Sequence, residues 1–309
     1  MLFLGIDTSN YATSLGAYSP EHGIVWHDKR FLPVAKGSLG LRQSDAVFEH
    51  VRALPSMIEK LALEIDMGEI EGVGFSERPR DIENSYMPCF LAGKAIGISI
   101  GASLGVQTTG FSHQTGHIAA ALFGTPLYAD GAREFIAFHV SGGTTDAVSC
   151  RIEGRKIQIT QLATSLDAHA GQIIDRVGVS LGLGFPAGAE LSVLAMQSES
   201  AEFASPVLKG ADCCFSGLEN QCQALARRGM SECDIARFCL LSVAKTICAM
   251  TQALKPGDMP VIYAGGVMQS NLVRETLLCE TKHAFFSEPA WLSADNAAGV
   301  AILASEAVL

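Results

Sequence analysis

Apolar positions along the chain recur with two periods, one of two residues and one of a helical turn, and blocks of each alternate. Leu2 to Ile6 is an apolar, β-prone run, broken by Asp7-Thr8-Ser9-Asn10 and resumed from Thr13 to Tyr18. That pattern predicts a β-hairpin whose turn carries a carboxylate and hydroxyls. The simplest work for those polar residues is to cap their own turn. Gly23 to Leu32 predicts a third strand. Between Ser44 and Ile65 the apolar residues Val47, Val51, Leu54, Ile58 and Leu61 fall at helical spacing, with a kink expected at Pro55. A short strand at Gly72–Phe75, a polar loop from Ser76 to Pro88 and a Gly/Ala-rich helix at Cys89–Leu104 complete this third of the chain. A polar loop is usually only solvated, but between a strand end and a helix start it lies where α/β folds bind ligands.

The middle repeats the opening pattern. Phe135–Val140 and Ala147–Ile152 predict strands around the turn Ser141-Gly142-Gly143-Thr144-Thr145-Asp146. Two glycines flanked by hydroxyls let backbone N–H groups converge on an oxyanion, although the lysine of a P-loop is missing. Glycine pairs are also common in hairpins for steric reasons alone. One such hairpin opening each half predicts two related α/β domains. Downstream, Ser165–Gly184 reads as an amphipathic helix with Ile173, Ile174 and Val177 inward and Asp175 on it, and Pro186 and Gly188 open the next helix. Asp175 could hold a ribose hydroxyl or simply pair with Arg176 at the surface. Glu219–Leu254 predicts further helices. The strand Pro260–Tyr263 runs into the glycine turn Ala264-Gly265-Gly266-Val267, and Asp295 stands where it would cap a last helix.

Chemistry concentrates in GFSHQTGHIAAAL, Gly110 to Leu122. His113 and His117 are four residues apart, which on a helix places both imidazoles on one face and lets them share a divalent metal. The glutamate that follows the first histidine of a zincin is absent, because position 114 is Gln114, so peptide hydrolysis is not implied. Two histidines satisfying local hydrogen bonds are the simpler alternative.

Composition narrows the partners. The 309 residues suffice for two domains, and 48% of them are hydrophobic. A net charge of −10 argues against unaided binding to nucleic acid, so any RNA contact needs a local basic patch or a partner subunit. Nine cysteines without a CxxC pair read as reduced, buried thiols. The start MLFLGIDTSN lacks the basic region of a signal peptide, and the most apolar run, Phe90–Val106, is broken by Lys94 and glycines. A cytoplasmic protein without a membrane segment is expected.

Taken together and in order, GIDTS, SHQTGH, VSGGTT, the GQIID…GLGFPAG run, FSGL, AGGV and the SADNAA helix start resemble the tRNA threonylcarbamoyladenosine synthases, long labelled O-sialoglycoprotein endopeptidases. The resemblance spans nearly the whole chain. It implies the two-domain sugar-kinase/actin-like (ASKHA) α/β superfold, with residues 1–105 and 293–309 in the first domain and 106–292 in a second domain carrying the metal and nucleotide sites. It implies transfer of a threonylcarbamoyl group from an adenylate to adenine of tRNA, with one divalent metal, Fe2+ or Zn2+, and ATP or an acyl-adenylate. By position His113, His117 and Asp295 would hold the metal. Ser141, Gly142, Gly143, Thr144 and Thr145 would line the adenylate, Asp175 and Gly188 its ribose, and Ser270 or Asn271 the base. Protein partners from the threonylcarbamoylation machinery follow from the same likeness.

Departures from the family pattern are as informative. Tyr11 and Ala12 stand where the family has an Asp-Glu pair, Thr115 where its histidine motif has glutamate, and Thr144 where its glycine turn ends in histidine. A charged ERPRDIENSYMP stretch replaces a Gly-Pro-Gly loop, and Asn271 comes one residue later than the family's asparagine. The pattern is that of a divergent paralogue. Three functions are consistent with it: a threonylcarbamoyltransferase-like enzyme, a non-catalytic nucleotide- and metal-binding subunit working through partners, and, third, a metallopeptidase.

Overall fold

The opening hairpin forms as its alternation predicts, and the strands that follow build outward from it. β1 (Leu2–Thr8) pairs antiparallel with β2 (Ala12–Ser19), Phe3 opposite Tyr18 and Thr8 opposite Thr13, and β3 (Gly23–Phe31) extends the ladder. α1 (Gln43–Glu64) keeps Pro55 inside it. Next come β4 (Ile70–Arg78), longer than its apolar centre suggested, α2 (Phe90–Leu104), β5 (Gln107–Ser112), α3 (His113–Phe123) and the single turn α4 (Pro126–Ala129). β4 lies parallel to β1, and β5 parallel to β4, giving the order β3-β2-β1-β4-β5. Leu4, Ile6 and Leu15 pack with Leu54, Met57 and Leu61 of α1. Each such side chain is almost wholly buried and contributes about 1.5–3 kcal/mol.

The second half repeats the plan. β6 (Glu134–Val140) pairs antiparallel with β7 (Thr145–Glu153), β8 (Lys156–Thr164) follows, and then come α5 (Ala170–Ser180) and α6 (Gly188–Ala195). Two short strands, β9 (Leu208–Lys209) and β10 (Asp212–Cys213), precede α7 (Ser216–Arg227) and α8 (Glu232–Leu254). β11 (Val261–Ala264) lies parallel to β6, α9 (Asn271–Glu280) follows after a 3-10 turn at Gly266–Gln269, and β12 (Ala284–Phe286) lies parallel to β11. The order β12-β11-β6-β7-β8 has the same connectivity as the first sheet, read from the other edge. The two predicted hairpins thus each found a sheet of the same design.

In this computed structural model the described residues are 1–33, 41–154, 156–294 and 296–309. They fall into two compact units, Met1–Tyr128 with Glu153–Ile157 and Asp295–Leu309, and Ala129–Ile152 with Gln158–Ala294. A boundary at 105/106 would cut the first unit between α2 and β5. β5 stays with the first sheet because it hydrogen-bonds along β4 from Gly72 to Arg78, and it brings the histidine helix α3 with it. Among the described residues no helix is long and apolar enough to cross a membrane.

The last helix, α10 (Asn296–Val308), completes the first unit. It lies so close to β1 and α3 that glycine is required at the contacts. A Cβ on Gly5 would sit 2.0 Å from the Ala297 carbonyl oxygen, and one on Gly299 would sit 1.8 Å from that of Gly116. This close approach delivers Asn296 to the end of β1 and the start of α3.

Candidate metal and nucleotide sites

Parallel strands end at one edge, and the C-terminal ends of β1, β4 and β5 carry Asp7, Ser76 and Ser112 respectively. Ser112 caps α3 by accepting a hydrogen bond from the Thr115 amide at 3.0 Å. The helix begins at once with His113, and one turn on comes His117. Their Nε2 atoms face each other at 3.2 Å, with ring planes 82° apart. Two imidazoles bound tetrahedrally to one zinc ion at ordinary Zn–N lengths have nitrogens about 3.3 Å apart, so this spacing suits a shared metal as well as it suits a direct hydrogen bond between the rings.

The opposite edge of His113 is held by a residue that sequence reasoning assigned only to a turn. Asp7 Oδ1 accepts from His113 Nδ1 at 2.8 Å, and the carboxylate is 2% exposed. Asn296 Nδ2 lies 2.6 Å from the same oxygen, 3.0 Å from Ser76 Oγ and 2.8 Å from His113 Nδ1. Burial raises the carboxyl pKa of Asp7, but the neighbouring His113 and hydrogen bonds from His113, Ser76 and Asn296 outweigh it and hold it below the usual range. An ionised carboxylate only accepts, so the proton shared with Asp7 lies on His113 Nδ1, and Nε2 is the ring atom that faces His117. Asn296 Oδ1, buried and without a hydrogen-bond partner among the described residues, is pressed against α3, where a Cβ on Gly116 would come within 2.0 Å of it.

The third ligand expected, Asp295, lies outside the described residues, and among those described no group of three His, Cys, Asp or Glu side chains could hold a metal. Its chain neighbour Asn296 reaches the histidine pair, as above. The fully buried His50 bonds Thr13 Oγ1 through Nδ1 at 2.8 Å, and burial depresses its pKa although the Asp7 charge and the Ser9 backbone oppose this.

In the second unit the glycine turn closes on itself, Ser141 N–H donating to the Thr144 carbonyl at 2.8 Å and Gly143 N–H to Ser141 Oγ at 3.3 Å. The N-terminus of α5 abuts it. Gly171 N–H donates to the Ser141 carbonyl at 3.1 Å, Ala170 N–H to Thr145 Oγ1 at 2.9 Å, and a Cβ on Gly171 would lie 2.5 Å from the Gly142 nitrogen. Gly265, at φ 100°, passes with its Cβ position 2.3 Å from the Val140 carbonyl, so the AGGV turn reaches the same strand end. A glycine turn, a helix N-terminus and a second glycine turn meet there, an arrangement that suits an anion.

The remaining predicted residues divide. Asp175 is buried and accepts from the Ala187 amide at 2.8 Å and from that of Gly188, so the pair is brought together as the cap of α6. Burial raises its pKa more than those amides lower it. Arg176 pairs with Glu219 instead, at 3.2 Å. Ser270 precedes α9 with its Oγ buried and without a partner among the described residues, while Asn271 is exposed.

A family model described as tRNA N6-adenosine threonylcarbamoyltransferase matches residues 40–302. The chain belongs to this family. A curated tRNA N6-adenosine threonylcarbamoyltransferase from Archaeoglobus fulgidus is 27% identical over 310 residues, covering 97% of this chain and 90% of that protein. Among solved structures, the (R)-2-hydroxyglutaryl-CoA dehydratase component A of Acidaminococcus fermentans superposes with a TM-score of 0.60 at 16% identity, covering 100% of this chain and 99% of that one. A ROK family glucokinase from Streptomyces griseus gives 0.53 at 14%, covering 99% and 100%. Those two likenesses show the fold, the sugar-kinase and actin-like plan that the paired hairpins and the family resemblance implied. Membership makes the chain part of a transferase family, at an identity that leaves room for the departures at Tyr11, Ala12, Thr115 and Thr144.

Proposed function

We propose that the protein is a metal-dependent threonylcarbamoyltransferase-like enzyme that acts on tRNA adenosine through an adenylate intermediate. The observation that carries this reading is the convergence of His113 and His117 Nε2 atoms, with Asp7 holding the first ring from behind. His113, His117 and Asp295 would hold one divalent ion, zinc or ferrous iron. Such an ion supplies Lewis acidity to a carbonyl or phosphoryl oxygen. The protein's own groups do the rest. Asp7 keeps a proton on His113 Nδ1 and a lone pair on Nε2. Amides of the Ser141–Thr145 turn that are not already bonded within the protein, with the α5 dipole behind them, would stabilise phosphate charge on ATP or an acyl-adenylate. Asp175 with Gly188, and Ser270 or Asn271, are the proposed ribose and base contacts.

A net charge of −10 favours delivery of the tRNA by partner subunits of the threonylcarbamoylation machinery, in the cytoplasm. The substitutions Tyr11, Ala12 and Thr144 favour a second reading, a nucleotide- and metal-binding subunit without catalysis of its own. Gln114 beside His113 leaves a metallopeptidase without its general base.

The test compares threonylcarbamoyl-modified adenosine in the anticodon loops of tRNA from cells with and without this gene, and with a His113→Ala allele restored. Loss of the modification in the deletion and in the allele supports the enzyme. Unchanged modification where the same genome encodes no other synthase refutes it.

A further inference from the structure

The segment between β4 and α2 does more than present charge to solvent. Asp81 Oδ2 accepts hydrogen bonds from Ser112 Oγ at 2.9 Å and Thr115 Oγ1 at 2.5 Å, the two hydroxyls that flank His113 on the first turn of α3. Its Oδ1 takes Arg78 Nε at 3.1 Å and Nη2 at 2.6 Å. The loop backbone joins the same turn, Gln114 N–H donating to the Pro79 carbonyl at 3.0 Å. Below it Glu77 binds Arg78 and, at 2.9 Å, Lys94.

Burial raises the Asp81 pKa, but the hydroxyls of Thr115 and Ser112 and the Arg78 guanidinium outweigh it, so the group stays ionised. An anion at the N-terminus of α3 is also favoured by the helix dipole. Its side chain is 31% exposed, which leaves it part of the surface around the histidines rather than of the core.

Two departures seen in the sequence therefore touch each other. Thr115 lacks the carboxylate of the family's histidine motif, and the charged loop replaces a Gly-Pro-Gly turn. A threonine hydroxyl carries no charge, but it can bind a carboxylate supplied by another segment.

We propose that Asp81 is a positioning residue for the histidine pair: the loop returns to the first turn of α3 the acidic group that position 115 lacks, and by holding both flanking hydroxyls it fixes how His113 projects. This rests on the metal-holding role proposed above for His113 and His117.

The experiment titrates metal-free wild-type protein, Asp81→Asn and the double variant Asp81→Asn/Thr115→Glu with Co2+, following its visible absorption. Asp81→Asn keeps the shape of the loop and is expected to weaken binding about tenfold, and the added glutamate to restore it to within about threefold of wild type. Wild-type affinity in Asp81→Asn, or a double variant no better than the single one, overturns the proposal. If wild-type protein takes up no cobalt, the metal reading itself fails and the ring proton resonances of His113 and His117 in the metal-free protein decide. Those rings stand 4.5 Å apart and nearly perpendicular, so their mutual ring-current shifts report their orientation. Shifts that move in Asp81→Asn and return in the double variant support the positioning role. Shifts that do not move in Asp81→Asn overturn it.

Discussion

Asparagine at position 7 keeps the side chain's shape and removes its charge, which separates orientation of His113 from filling of space. Asp7 lies 2.8 Å from His113 Nδ1 and 2.6 Å from Asn296 Nδ2, and it is 2% exposed, so solvent cannot replace what is lost. A carboxamide oxygen has two lone pairs and can still accept these bonds, but without the charge assistance that roughly doubles their strength. Its NH2 group adds a donor to a cluster that already holds Asn296 Nδ2 and Ser76. Losing such a partner behind a metal-ligating histidine typically lowers metal affinity about 10–100-fold, or about 1.4–2.7 kcal/mol. Zinc competition against a chromogenic chelator on metal-free Asp7→Asn and wild type measures this directly, with thermal melts run beside it to establish folding. Affinity within about twofold of wild type would refute the orienting role, since the expected range begins near tenfold. A variant that loses zinc only because it no longer melts cooperatively would assign Asp7 to the fold instead.

Gly143 is exposed and its amide donates to Ser141 Oγ within the turn, so Gly143→Val should leave melting unchanged while filling the space above the turn. Calorimetry is expected to show loss of ATP binding, and undiminished affinity in the folded variant counts against the turn as the phosphate site. Asp175 is held above the ordinary carboxyl value of 3.8 by burial, so the folded chain binds its proton more tightly than the unfolded chain does. The resulting penalty is absent below 3.8, grows as pH rises through the folded-state value, and is complete above it. Asp175→Asn should therefore be more stable than wild type at neutral pH, with the gap closing on acidification. A gap independent of pH in melts from about pH 7 to about pH 4 would contradict this.

Local patterns carried the elements and failed where distant segments meet. The two hairpins, the helix over residues 43–64 and the HxxxH pair are legible because hydrophobic periodicity and i,i+4 spacing are properties of short windows. Asp7 read as a turn residue because nothing near it says that His113 will lie beside it. That contact is made by the parallel order β1-β4-β5, which sets the ends of three strands side by side. Asn296 reaches the same place because Gly5, Gly116 and Gly299 let α10 approach, and each glycine looks ordinary in its own window. The boundary near Val106 came from the paired hairpins and the family likeness, whereas β5 belongs to the first sheet through hydrogen bonds to β4. In the same way Asp81 looked like one charge among several in a polar loop until α3 supplied two hydroxyls to bind it. Asp175 and Gly188 were picked out as a pair and do meet, though the contact visible between them is a helix cap.

The central claim is that His113, His117 and Asp295 hold one divalent ion, and metal analysis of protein purified without chelators tests it most directly. The account predicts about one zinc or iron ion per chain, lost alike in His113→Ala and Asp295→Ala. Metal retained in Asp295→Ala but lost in His113→Ala would show that the third ligand is another residue. Wild-type protein that takes up neither zinc nor ferrous iron when they are supplied would contradict the account outright.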